Sequence, residues 1–264
     1  MHVLVEVRLD DSTADAELVG DRLWALGAVG VEERLDHVVA AFADPAAADA
    51  AAAEFDGRLL PVADTTGLDT WRPHAAVIAA GPFSIRPPWL DPGPGRDLII
   101  DPGHTFGSGS HASTRLAVDL LARHVRPGMH VVDLGAGSGV LSMAAALAGA
   151  TVTAVDTDSN AEDAIAANAA RNRVADRIET RIDDIASIDV EADLALLNVT
   201  IDIHERVAPH LRHQRIGPLV VAGILTGDQE ARCATAHDRT IVERATHDEW
   251  AALVLDHGAP TTPS

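Results

Sequence analysis

The stretch Val131-Val132-Asp133-Leu134-Gly135-Ala136-Gly137-Ser138-Gly139 places three glycines where an apolar strand hands over to a helix. Glycines at such a turn let the backbone approach a ligand with no Cβ in the way. A dinucleotide site reads G-x-G-x-x-G; here the third glycine comes one position early, and Val140 fills the dinucleotide position. Asp133, two residues before the first glycine, is a second difference, because a carboxylate repels a pyrophosphate and attracts an ammonium group. S-adenosyl-L-methionine (AdoMet) carries that ammonium, so Asp133, Gly135 and Gly137 are expected to cradle it. Asp156 ends the next strand-like run, where an acid accepts both ribose hydroxyls in doubly wound folds. Asn198 ends a later run and so faces the crevice at the carboxyl edge of the sheet; capping the helix that follows is its competing role.

Such residues need a parallel sheet with helices on both faces, and the pattern from residue 111 onward supplies one. Helices are expected over 111–125, 138–148, 159–172 and 201–212, and strands over 130–134, 151–156, 177–182, 193–198 and 219–222. Two further strand-like runs, 240–245 and 250–256, are separated by four residues, too few for a crossover helix, so the sheet should end in an antiparallel hairpin. Upstream, residues 1–63 read as βαββαβ, a small ferredoxin-like α+β domain. Its strands fall at 2–9, 29–34, 37–42 and 58–62, with a turn at Leu35-Asp36, a helix over 13–26 and an Ala-rich helix opened by Pro45. Residues 64–97, rich in proline and glycine and holding Trp71 and Trp89, are expected to be an irregular packed linker. The expected fold is therefore an α/β, Rossmann-like class I methyltransferase sheet over 98–257, followed by a flexible tail, 258–264.

Length agrees, since 264 residues suit one domain of about 150 to 200 residues plus a smaller one. Twenty basic against 40 acidic residues give a net charge of −20, which repels nucleic-acid phosphates and suits either a basic partner or a merely well-solvated surface. Every basic residue is arginine, so the chain offers no lysine side chain of its own for methylation. The single cysteine, Cys233, allows no internal disulfide, and no apolar stretch reaches the roughly 18 residues that span a bilayer. These features lead us to expect a reducing, cytoplasmic setting with no membrane association, and leave the oligomeric state open.

Phe106-Gly107-Ser108-Gly109-Ser110-His111-Ala112-Ser113-Thr114, followed by the Gly-rich turn, resembles the ribosomal protein L11 methyltransferase family, which shows F-G-[ST]-G-x-H-x-[ST]-T before its AdoMet motif. The similarity continues through Ala154-Val155-Asp156, Leu197-Asn198 and Gly223-Ile224-Leu225. The resemblance implies that Thr114, Gly135, Asp156 and Asn198 contact AdoMet, that Phe106 and His111 lie in the loop covering it, and that the N-terminal domain recognises L11. It also implies methylation of lysine side chains, with the N-terminal α-amine as an open second target. His104, Ala112 and Val199-Thr200-Ile201 depart from the family's usual residues, and Arg72-Pro73-His74-Ala75 lacks an expected tryptophan.

Methyl transfer from a sulfonium is an in-line displacement in which positioning and desolvation dominate, so no metal is expected. Asp101, His104 and His111 form a conceivable metal trio, but the cofactor loop between them explains their spacing. His204, His210 and His213 do not share one helix face and are expected to be solvated; Cys233 is expected to be an ordinary small residue. Adenine or glutamine-amide methylation usually goes with Asn-Pro-Pro-aromatic at this strand end, and Asn198-Val199-Thr200-Ile201 lacks it. Asn198 is then the expected catalytic residue, orienting an amine. Two alternatives stay open: a methyltransferase for another protein or a small metabolite, and a non-catalytic AdoMet-binding or ribosome-associated protein.

Overall fold

A computed structural model of the chain describes residues 3–9, 16–33, 37–60, 75–101, 105 and 107–257. The expected turn at Leu35-Asp36, the end of the strand over 58–62, Trp71, His104, Phe106 and the tail over 258–264 lie outside these residues. The chain divides into two compact units, residues 1–74 and 75–264.

In the first unit, β1 (Val3–Arg8), α1 (Ala16–Ala25), β2 (Ala28–Glu33), β3 (His37–Phe42), α2 (Pro45–Phe55) and β4 (Arg58–Leu60) follow the expected βαββαβ order. The strands pair as β2-β3-β1-β4, and all three pairings are antiparallel. Alternation explains the core: Val5 and Val7 of β1 and Val38, Ala40 and Phe42 of β3 turn inward against Val19 and Leu23 of α1 and the alanines of α2. Asp44 starts α2 by accepting the Ala46 amide at 2.9 Å, with Pro45 in the first turn, where a missing N–H costs nothing.

The second unit begins where an irregular linker was expected, and that expectation is corrected. Three short strands, β5 (Ile78–Ala80), β6 (Phe83–Arg86) and β7 (Arg96–Ile99), form a sheet of their own. Strands of three or four residues are too short to show a period among prolines. What orders them is side-chain chemistry: Arg86, almost fully buried, grips Asp97 through two 2.6 Å contacts, and Phe83, Ile85 and Leu98 join the main core.

The remaining elements are α3 (Ala112–His124), β8 (His130–Leu134), α4 (Val140–Leu147), β9 (Thr151–Asp156), α5 (Asn160–Asn172), β10 (Ile178–Ile182), β11 (Glu191–Ala192), β12 (Leu194–Asn198), α6 (Ile201–Leu211), β13 (Arg215–Ile216), β14 (Leu219–Leu225), α7 (Asp228–His237), β15 (Thr240–His247) and β16 (Trp250–Asp256). The large sheet runs β10-β9-β8-β12-β14-β16-β15, parallel except for β16, which is antiparallel to both neighbours. This is the doubly wound sheet closed by the expected hairpin. Side chains alternate strictly between two core layers: Val131, Leu194, Leu196 and Val220 meet α3, α4 and α5, while Val132, Leu134, Ala195, Leu197 and Val221 meet α6 and α7. Helix α7 escaped the sequence reading because only Cys233 and His237 of it are buried, too few to make an apolar stripe.

The expectation of solvated histidines is corrected for His204, which is fully buried on α6 with Nε2 3.0 Å from the Ala222 carbonyl. Burial lowers its pKa to about 4 and that of His237 to about 3, and pushes the Cys233 thiol up to about 12. His210 bonds the Ile188 carbonyl at 2.7 Å, and His213 is exposed as expected.

Candidate functional site

The carboxyl ends of β8, β9 and β12 converge on the turn after β8. The Gly135 and Ala136 amides both donate to the Val155 carbonyl, at 2.8 and 3.0 Å, which fastens the turn to β9. Gly135 has φ 78°, and a Cβ there would lie 2.9 Å from Val199 Cγ1, so turn and β12 approach more closely than any side chain permits. Gly223 closes the same gap from β14: its Cβ would lie 2.4 Å from the Val199 carbonyl oxygen.

Four of the sequence-predicted residues are joined here in two directly bonded pairs. Asp156 Oδ2 accepts the Gly137 amide at 2.7 Å and Oδ1 accepts the Asp158 amide at 2.9 Å, which fixes the carboxylate at the end of β9. Asn198 Nδ2 donates to Thr114 Oγ1 at 3.2 Å, linking the end of β12 to the first turn of α3. Gly137 and Gly135 lie in the turn between them. Ser138 adds a further tie, its hydroxyl donating to the Gly107 carbonyl in the loop before α3.

His111 caps α3. Its Nδ1 accepts the Ser113 amide at 3.3 Å, so the proton of the neutral ring sits on Nε2. The ring packs edge-on against Trp250, with centroids 4.5 Å apart. Partial burial, with the Arg115 charge adding to it, holds the His111 pKa below its usual value. His111 is thus a hydrogen-bond donor at neutral pH, with no free lone pair for proton abstraction.

Asp133 stands deeper than expected. It is 1% exposed, and its Oδ2 accepts the Ser142 hydroxyl at 2.6 Å. Burial raises its pKa to about 6; the Ser142 hydrogen bonds oppose that rise, and the nearby Asp156 charge adds to it. A buried carboxyl with one polar partner is a group that a nearby cation would ionise.

Several residues that support the site were missed, two asparagines among them. Asn168 of α5 is fully buried: its Oδ1 accepts the Asp101 amide at 3.0 Å, and its Nδ2 donates to the carbonyls of Asp101 and Ser138 at 3.0 and 2.9 Å. One amide therefore joins the strap after β7 to the glycine turn. Asn172, four residues on, makes the matching pair with Ile99, at 2.9 and 2.6 Å. An asparagine inside the buried stripe Ala161, Ile165, Asn168 was the available signal, since such a position is kept polar only for a partner. Trp250 had none, because its neighbour His111 is far away in sequence.

AdoMet fits these residues. The Gly135 cradle is a space that a Cβ would fill, and the donor set offers acceptors for hydroxyls at Asp156 and a carboxyl for an ammonium at Asp133. A shallow polar depression lined by His130, Asp193, Arg215 and His257 lies at the opposite edge, where the parallel strands begin, and takes no part.

Residues 62–257 match the sequence model of the family described as ribosomal protein L11 methyltransferase. Among curated proteins, the ribosomal protein L11 methyltransferase of Thermus thermophilus is 36% identical over 236 residues, which cover 86% of this chain and 89% of that one. Its counterpart in Desulfitobacterium hafniense is 34% identical over 204 residues, 74% of this chain and 65% of the relative. A crystal structure of a ribosomal protein L11 methylase from Lactobacillus delbrueckii subsp. bulgaricus superimposes with a TM-score of 0.62 at 27% identity, covering 69% of this chain and 99% of that one.

Proposed function

Because the chain belongs to the ribosomal protein L11 methyltransferase family, we propose that it transfers methyl groups from AdoMet to amine nitrogens of L11, lysine side chains first and the N-terminal α-amine as a second target. The observation that carries this reading is the closed set of contacts joining Thr114 to Asn198, Gly137 to Asp156 and Ser138 to Gly107 at one edge of the sheet. Bound AdoMet supplies an electrophilic methyl group on a sulfonium.

The chain's own residues then have four tasks. Asp156 accepts the ribose hydroxyls, its carboxylate already oriented by two backbone amides. Asp133 provides the counter-charge for the ammonium from a dry position, where an ion pair is stronger than in water. His111, with the Trp250 ring at its edge, covers the crevice and excludes water. Asn198 Oδ1 orients the acceptor amine while Nδ2 stays on Thr114.

A lysine amine has a pKa of about 10.4, so presenting it neutral at pH 7 costs roughly 4.6 kcal/mol. A positive sulfonium beside it favours the uncharged amine, and the neutral Asn198 carbonyl orients that amine without the counter-charge with which a carboxylate would hold it protonated. The N-terminal unit serves as the recruiting module for L11. Residues 1–74 hold 15 acidic side chains against five arginines, a charge suited to a basic protein and opposed to nucleic acid.

The test uses the full chain, labelled AdoMet and purified L11. Because the chain has no lysine, lysine-bound label reports the partner alone. We expect label on L11 lysines, with Asn198→Ala lowering turnover by about 100-fold while AdoMet affinity changes far less. Label in a metabolite or in another protein, with none in L11, refutes the substrate; no AdoMet binding in calorimetry refutes the enzyme.

A further inference from the structure

Three potential metal ligands converge in the apolar layer between α6 and α7. His204, Cys233 and His237 each present one ligand atom within 4.8 Å of the others, the one such group among the described residues. The exposures of the three side chains are 0%, 0% and 2%. His204 Nδ1 and His237 Nε2 stand 3.2 Å apart. A carbonyl only accepts, so the His204 contact to Ala222 places that ring's proton on Nε2 and leaves the Nδ1 lone pair facing His237 and Cys233.

We propose that His204, Cys233 and His237 form a buried site for a thiophilic d10 cation, zinc(II) or copper(I), that clamps α6 to α7. Two imidazole nitrogens at about 2.05 Å from a common ion lie roughly 3.3 to 3.6 Å apart, so the observed gap needs only a small opening. The Ala222 carbonyl plays the part that backbone carbonyls commonly play behind a metal-bound histidine, fixing ring orientation and tautomer. Two imidazoles with a thiolate select thiophilic ions over magnesium or calcium, which take oxygen.

Binding balances as follows. The Cys233 thiol gives up its proton to water and the thiolate bonds the ion. The His237 ring moves its proton from Nε2 to Nδ1, so one proton leaves per ion bound. Copper(I) with one thiolate and two neutral rings is uncharged and content with three ligands. Zinc(II) leaves one positive charge and takes a water as its fourth ligand.

The location gives the clamp a role in positioning. The Ala222 carbonyl accepts both His204 Nε2 at 3.0 Å and the Val199 amide at 3.2 Å, and Val199 directly follows Asn198. Fixing His204 therefore fixes the peptide behind the proposed catalytic residue. His237 ends α7, so opening of that last turn admits the ion.

The experiment uses the full chain without a histidine tag, produced separately with zinc and, under anaerobic reducing conditions, with copper(I), then exchanged into metal-free buffer for elemental analysis. Cobalt(II) reports ligation through a near-ultraviolet thiolate-to-metal band. We expect about one equivalent of zinc or of copper in the wild-type chain. Cys233→Ala should lose the ion and the cobalt band. His237→Gln should also lose the ion, although its amide N–H can still donate to His204 Nδ1, which separates ligation from the hydrogen bond. Circular dichroism and AdoMet affinity confirm that each variant is folded. Whichever ion is retained identifies the source. Retention of neither ion, or equal retention by Cys233→Ala, overturns the proposal.

Discussion

Residues 1–74 hold 15 acidic side chains and five arginines, whereas residues 75–264 hold 25 and 15, so the same net charge of −10 is spread over more than twice the length in the second unit. The polar groups are also used differently. Among the described residues of the first unit, Arg22 pairs with Glu54 at the surface and the exposed Arg58 pairs with Glu6, and surface pairs add little to stability. In the second unit Asp133, Asn168, Ser138 and Ser142 are buried and bonded, where removing one partner strands the other. Trp24 and Leu59 of the first unit remain 45% and 43% exposed. Both units carry ion pairs at the surface, and the second also turns polar groups inward to hold a shape, which fits the proposed division between meeting a partner and holding the cofactor.

Asn168→Ala should produce the largest effect. It removes four side-chain hydrogen bonds at a fully buried residue, and about 3 kcal/mol of stability should go with them, read as a lower urea midpoint for the second unit. AdoMet affinity should fall as well, because Ser138 and the strap from Asp101 lose their common anchor. A stability unchanged within 0.5 kcal/mol, an error of about the size found for neutral surface changes, would contradict the inward-turned reading.

Removal of residues 1–74 sharpens the comparison from the other side. AdoMet affinity should stay within about twofold, while kcat/KM for L11 falls by about 30-fold, equivalent to roughly 2 kcal/mol of recruiting energy. If the two quantities drop together, the units do not divide the work. The loss on deletion should shrink in high salt, where exposed charges are screened.

The smallest effect is a pH dependence. The Asp133 pKa lies above its unfolded value, so the folded protein holds this proton up to about pH 6, and burying the charged form opposes folding above it. An ammonium ligand selects the ionised carboxylate. AdoMet affinity should therefore rise about tenfold from pH 5 to pH 7, with a proton released on binding. Asp133→Asn should flatten the curve, whereas His111→Gln should leave most of it. A flat wild-type profile would falsify the role given to Asp133.

Much of this site could be read from residue order, for a physical reason. Backbone geometry sets its outline: Gly135 and Gly137 follow a strand because the turn demands them, and Asp156 and Asn198 end strands because parallel strands bring their carboxyl ends together. The alternation of β8, β9, β12 and β14 was equally plain, since both faces of each are buried. Local signals failed where packing decides the structure. Strands β5 to β7 are stabilised by Arg86 with Asp97, a polar pair across neighbouring strands that hydrophobic periodicity does not register. His204 looked solvated because it shares no helix face with His210 and His213; its partners, Ala222 and His237, come from β14 and α7. Asp133 was placed correctly in the motif, yet Ser142 on the following helix, which keeps it from facing the crevice openly, went unread.

The reversed strand β16 has a consequence for biosynthesis. It lies between β14 and β15 and is the only partner through which β15 joins the described sheet. Its first residue, Trp250, is the aromatic neighbour of His111. As the chain leaves the ribosome, the Gly-rich turn and the strands up to β14 emerge first and can pair, but the wall against which His111 rests arrives among the late residues. If His111 covers the cofactor as proposed, a nascent chain forms its cofactor cradle before that cover has the strand it rests on.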